Sequence, residues 1–298
     1  MLRFLLFTSL FLPVLAAADI ASISGYVLQV PATVRTVLVA ETDQPMLHIF
    51  SVDEDGRVSG VKQSISIGQR GAGKRKSGDR RTPLGVYFVT EELDTRNLHN
   101  KYGPVAYPLD YPNAWDTLNQ RTGHGIWIHG MAPGSGPRPV RDTDGCISLP
   151  NEELLNLGAD LAPLQTPVIV TRRLQKKSEA ELHATRAQLL EALDDWTQSY
   201  RSGDWYGHLA LYAGEFTYRG MSRDEWAAYR LATVGQRVID DFAIADITLI
   251  ADPVEPGLYV SRFRQEITEA GRTVAATKRL YWRRSVQGDY KIIAEDNG

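Results

Sequence analysis

The sequence predicts two domains in series: a mainly β domain with one or two helices, then a smaller α+β domain. Three observations lead to this. The 298 residues exceed one typical domain and suffice for two separate cores. From Val34 to Val170 the chain runs as short β-branched and aromatic stretches broken by Gly, Pro, Asn and Asp, the texture of a β-rich fold. Past a charged junction at residues 172–177 (RRLQKK), helical periodicity comes first and alternating strands follow.

Taken in order, residues 1–18 contain Arg3, the apolar run FLLFTSLFLPVLA and the small residues Ala16, Ala17 and Ala18. That is the pattern of a secretory signal peptide, with a mature chain beginning near Asp19 and a periplasmic destination. The run is too short to cross a bilayer comfortably. The first domain is expected over residues 19–175 and should fold alone, with strands in VRTVLVA, MLHIFSV, VKQSISIG, LGVYFVT, GIWIHG and TPVIVT. One helix interrupts them at EELLNLGADL, with Asn151 as its N-cap and Leu154, Leu155 and Leu157 on its apolar side. The second domain, residues 178–298, opens with helical stretches up to about Gln236. It ends in FAIADITLIA, GLYVSRFRQEITEA, RTVAATKRLYWRRS and DYKIIAED, which alternate as strands. Trp196, Trp205, Tyr212, Phe216 and Trp226 recur near helical spacing and read as core rather than as a ligand cage.

The formal net charge is −3. With no basic tail the electrostatic drive for nucleic-acid binding is missing, so nucleic acid is not expected as a partner. Cys146 is the single cysteine. In an exported chain a lone thiol is either buried and inert or reactive for a purpose.

The local sequence favours reactivity. Residues 123–157 read GHGIWIHGMAPGSGPRPVRDTDGCISLPNEELLNL. On a strand Trp127 and His129 share one face, whereas His124, Ile126 and Ile128 share the other. His124 is therefore assigned a structural or supporting role, and the two histidines do not form a metal-ligand pair. A metal site built from Cys146, Asp144 and a histidine lacks the usual ligand set, and neither a metal nor another cofactor is expected. A free thiol has a pKa of ~8.5, so an imidazole that takes its proton activates it as a nucleophile. His129 is the candidate base. Gly145, having no Cβ, lets backbone N–H groups point into the site, as a tetrahedral oxyanion requires.

These residues resemble the signature of the L,D-transpeptidase (YkuD-domain) family: His129-Gly130, then Thr143-Asp144-Gly145-Cys146. The upstream segment IGQRGAGKRKSGDRRTPLGVY and the stretch YGPVAYPLDYPN also resemble that family. The resemblance implies a YkuD-like β-sandwich with Cys146 as the acylated nucleophile and His129 as base. It further implies that the Gly130 carbonyl orients the imidazole and that the Gly145 and Cys146 N–H groups form the oxyanion hole. Substrates would be peptidoglycan stem peptides, with D-alanine released and the acyl group passed to water or an amine.

Many family members carry Arg two residues after the cysteine, where this chain has Ser148, so Ser148 is expected at the substrate. Arg138, Arg141, Trp127 and Tyr111 are further candidates for substrate contact, the two arginines as carboxylate partners. Lys74, Arg75, Lys76, Arg80 and Arg81 read either as a carboxylate-recognition patch or as a solvated hairpin tip. The second domain resembles an NTF2-like cone, read here as a binding or homodimerisation module. The pairing of the two domains resembles L,D-carboxypeptidases that help shape helical cells. The rival reading is a non-catalytic wall-binding protein, which would have no need of a reactive thiol.

Overall fold

The computed structural model describes residues 24–53, 58–235 and 237–298; the expected signal peptide, residues 1–18, lies outside them. Its first domain is a sandwich. One layer is a five-stranded sheet in the order Val58–Ser64, Met46–Val52, Thr36–Glu41, Pro167–Thr171, Gly85–Phe88. The other is a four-stranded sheet in the order Ile147–Ser148, Trp127–His129, Val105–Pro108, Leu93–Asp94. Leu38, Ala40, Val168 and Val170 from the first meet Tyr107, Ile128 and Ile147 from the second in a shared apolar core. A short parallel pair, Arg141–Thr143 on Ile67–Gly68, joins the loop ahead of Cys146 to this framework.

The second domain is the expected α+β unit, with helices Glu179–Ser202, Trp205–Ala210 and Arg223–Thr233 preceding an antiparallel meander. Ser178 with Glu181, and Ser222 with Glu225, form reciprocal capping boxes at the first and third of these helices. Each box satisfies N–H groups that a helix start leaves unpaired. The meander wraps the helices: Leu280, Trp282, Phe263 and Ile292 pack with Leu189, Leu193 and Trp196. The five aromatics read as core are all buried there.

Neighbouring positions on the same strands face the opposite way. Val260, Tyr281 and Ile293 pack against Val37, Val39, Val86, Phe88 and Ile169, so the first domain's five-stranded sheet is covered on both faces. Strand Thr36–Glu41 is accordingly buried along five of its six residues. Its unbroken apolar run has the composition of a strand buried on both sides, not the alternation of a half-exposed one.

This layering revises the expected domain limits. Strand Val27–Gln29 belongs to the second domain's sheet, antiparallel to Asp241–Ala251, although residues 19–175 were expected to form one unit. The segment passes beside the charged junction, with the Gly25 N–H donating to Gln175 O at 2.9 Å and the Tyr26 hydroxyl to Arg173 O at 2.8 Å. Composition marks the covalent junction between domains. It does not mark which sheet edge an amino-terminal strand joins.

A buried ion cluster lies at the seam. Arg279 bonds Asp110 of the first domain and donates to Asp296 at 2.7 and 2.8 Å. Asp110 in turn accepts the Phe88 N–H, and Asp296 accepts the Ala114 N–H. Arg279 and Arg262 both lie over the Phe88 ring.

Two outcomes follow for stability. A chain ending at residue 175 exposes Val39, Phe88, Trp115 and Ile169, at ~1.5–3 kcal/mol for each large apolar side chain. Set against a typical net stability of ~5–15 kcal/mol, that loss should abolish a cooperative melt by circular dichroism; a sharp, reversible transition would show that the first domain is self-sufficient. Arg279→Ala leaves two acids uncompensated and should lower the stability of the full chain by about 3 kcal/mol in denaturant titration.

Candidate active site

The register of one strand pair builds the site. Ile147–Ser148 runs parallel to Trp127–His129, pairing Ile147 with Ile128 and Ser148 with His129. Paired residues on adjacent strands share a face. Ile128 and Ile147 point into the core, so His129 and Ser148 lie on the other face, and Cys146 ends the turn that leads into this pair. Cys146 is half-buried.

His129 is held firmly. Its Nδ1 lies 2.7 Å from Gly130 O, and because a carbonyl only accepts, Nδ1 carries the proton and Nε2 the lone pair. Gly130 O also accepts from Ser148 Oγ at 2.9 Å, and Ser148 Oγ accepts from Arg138 Nη1 at 3.1 Å. The Tyr102 ring packs edge-on to His129 at 5.2 Å and against Trp127 at 4.8 Å, and its backbone carbonyl accepts the Gly130 N–H. A Cβ on Gly130 would overlap Asn151 Oδ1, so only glycine allows this approach.

The cysteine turn is stapled by Thr143, whose Oγ1 accepts the Gly145 N–H at 3.1 Å and donates to Cys146 O at 2.7 Å. Gly145 has φ +129, and a Cβ there would stand 2.7 Å from Arg81 O. The turn therefore needs glycine for backbone conformation and close approach. Its N–H is taken by Thr143, which removes it from the expected oxyanion hole. For the Cys146 N–H no partner is found among the described residues.

Electrostatically the pair rests in neutral form. Burial lowers the His129 pKa to about 4, with the Gly130 carbonyl opposing and Arg138 and Lys101 adding to the fall. Burial likewise pushes the Cys146 thiol up, against the Trp127 N–H and the Lys101 charge. The thiol donates to Gly125 O at 3.4 Å.

Several sequence-predicted contacts change place. Tyr111 is buried in the core with its hydroxyl donating to Thr122 O, so it cannot meet a substrate. Ser148 is also buried; it supports Gly130 O from below. Arg138 spends its guanidinium on Asp142 at 2.7 Å and on Ser148, so it is committed internally and not free for a substrate carboxylate. Arg141 is exposed and Trp127 partly exposed, both compatible with contact, while His124 is exposed just before the strand. Asn151 opens its helix as the first residue, with Pro150 at the cap position, and clamps both backbone groups of Met131. Lys101, Tyr102 and the Asn151 clamp escaped the sequence reading; the only signal was the position of Tyr102 at the head of YGPVAYPLDYPN.

A neutral buried imidazole makes stability depend on pH. Between the unperturbed value of ~6.5 and about 4 the folded chain binds fewer protons at His129 than the unfolded chain, so its contribution is lost as pH falls through that window. Burial of Asp252, which raises its pKa to about 6, acts in the opposite sense. His129→Gln should therefore flatten the loss of stability on acidification relative to the parent; identical denaturation midpoints against pH for both proteins would contradict the assigned state.

Comparisons with known proteins agree with this architecture. Residues 35–170 match the model of the YkuD L,D-transpeptidase catalytic domain, and residues 188–296 that of the Cds6 C-terminal NTF2-like domain. Comparison with curated proteins finds no match. Among solved structures, Bd1075 of Bdellovibrio bacteriovorus is similar at TM-score 0.72 and 22% identity, over 92% of this chain and 96% of that one. The helical cell shape determining protein Pgp2 of Campylobacter jejuni is similar at TM-score 0.72 and 24% identity, over 88% and 91%. The chain thus joins a YkuD-family L,D-transpeptidase catalytic domain to a C-terminal NTF2-like domain.

Proposed function

We propose that this protein is an exported cysteine acyltransferase that trims peptidoglycan stem tetrapeptides, with Cys146 as nucleophile, His129 as base and water as the final acceptor. The observation that supports the reading is the parallel register of Ser148 with His129, which leads the cysteine turn to the His129 strand, while Gly130 O fixes the imidazole with the lone pair on Nε2. Cys146 Sγ attacks the carbonyl carbon preceding the terminal D-alanine as its proton passes to Nε2. A neutral thiol and a neutral base make this transfer part of the attack rather than a prior ionisation. The Cys146 N–H faces the developing oxyanion. The C–N bond breaks, the imidazolium returns the proton to the leaving amine, and D-alanine departs from a thioester. Water then attacks the thioester, His129 takes its proton, and the thiol is restored as the shortened peptide acid leaves.

Support for water over an amine comes from the two-domain layout shared along nearly the whole chain with Pgp2, whose name ties it to helical cell shape. It joins the resemblance to wall-trimming carboxypeptidases already drawn from the sequence. The absence of the common arginine at position 148 no longer argues for hydrolysis, because Arg138 brings a guanidinium to Ser148 Oγ. Nor does the second domain bear on it, since its sheet packs on the side of the sandwich away from the His129 strand.

Mature protein incubated with disaccharide-tetrapeptide should yield disaccharide-tripeptide and free D-alanine, with Cys146→Ala and His129→Ala each reducing turnover by at least ~10³-fold while still melting cooperatively. Turnover by Cys146→Ala would remove the nucleophile assignment, and cross-linked dimers as the main product would make the acceptor an amine. A mass shift of one acyl adduct after carbapenem treatment, absent in Cys146→Ala, reports the thioester directly.

A further inference from the structure

A cavity of about 720 Å³ opens at the seam between the domains, between the loop around residues 70–81 and the turn carrying Val254 and Glu255. Its walls hold an unusual charge for a chain of net charge −3. Arg70, Arg75, Lys76 and Arg81 all line it, and none has a carboxylate at salt-bridge distance among the described residues. Arg81 spends one nitrogen on Ala72 O. Against these four the facing acid is Glu255, since Asp79 is already engaged.

That engagement makes the loop rigid. Asp79 accepts from Lys74 Nζ at 2.9 Å and from the backbone N–H groups of Arg75, Lys76 and Arg81. Burial opposes its ionisation, but these donors prevail and pull its pKa down to about 2. Lys74 is thus an internal counter-ion, while the Arg75 and Lys76 side chains are turned outward and exposed. Of the segment expected as either a carboxylate-recognition patch or a solvated hairpin tip, Lys74 is withdrawn while Arg75 and Lys76 keep exposed charges. Because Asp79 pins the backbone from which these cations project, ordering the loop adds little to the cost of binding an anion, and concave walls of one sign concentrate the opposite charge. The same strap backs the cysteine turn, because Arg81 O packs on Gly145. The cavity and the thiol are therefore separate sites sharing one wall.

We propose that this cavity is a second binding site, for an acidic peptide segment bearing at least two carboxylates. The choice of occupant rests on the reading of the substrate as wall peptides, which carry such groups; the site's preference for anions does not. Isothermal titration of the full chain carrying Cys146→Ala with the tripeptide Glu-Glu-Glu tests it without any turnover, so a failure of the catalytic reading is scored separately. Saturable binding that weakens with added salt is expected, with affinity reduced about tenfold or more in Arg75→Glu/Lys76→Glu and unchanged in Arg272→Ala, an exposed cation outside the cavity. A matching melt confirms that the double variant is folded. Absence of saturable binding, equal affinity in the double variant, or binding of inorganic pyrophosphate with none of the tripeptide would each overturn the proposal.

Discussion

The structure depends above all on a sheet with two apolar faces. Strands Thr36–Glu41 and Pro167–Thr171 are buried from end to end or nearly so, and neither face can be left in water without losing several kcal/mol of apolar burial. One face is closed by the four-stranded sheet that carries His129, the other by the meander of the second domain. The NTF2-like unit is thus a structural layer of the molecule as well as a module in its own right. The ion cluster around Arg279 belongs to the same constraint. Once the two sheets close, Phe88, Asp110 and Asp296 come together out of water, and a guanidinium satisfies both acids while lying on the ring.

That frame permits the precision of the site. The strand bearing His129 lies on the sheet's outer layer, with Ile128 and Ile147 locked into the core on one side and His129 and Ser148 presented on the other. Around them, polar groups are arranged so that each backbone atom with a role has few alternatives. Gly130 O receives two donors, Thr143 occupies the Gly145 N–H, and Asn151 holds Met131 at both ends. The outcome is an imidazole of fixed tautomer, with burial favouring the neutral forms of both His129 and Cys146.

The charged loop shows how the same residue type takes different roles a few positions apart. Lys74 neutralises a buried acid, Arg81 braces a carbonyl, and Arg75 and Lys76 face a cavity. Asp79 accounts for the division, since its carboxylate gathers the backbone of the loop and forces the intervening side chains outward. A similar exchange occurs at position 148, where a short hydroxyl admits the guanidinium of Arg138 from ten residues upstream.

What the sequence determined by itself was local or patterned. The strand runs, the helices-then-strands order and aromatic core of the second domain, and the His129 to Cys146 motif are written in spacing, and spacing survives without knowledge of the fold. Partners distant in sequence were decided only by tertiary structure. Nothing around Val27 says that it joins a strand more than two hundred residues away, because an edge strand's hydrogen bonds carry no record of their acceptor in its side chains. Tyr111 reads like a cleft aromatic until the sheets close over it, and Asn151 reads like a helix cap until Met131 arrives to claim its amide. Polar side chains near a turn have several local uses of nearly equal energy, and the choice among them falls to whichever group the packed core brings within reach.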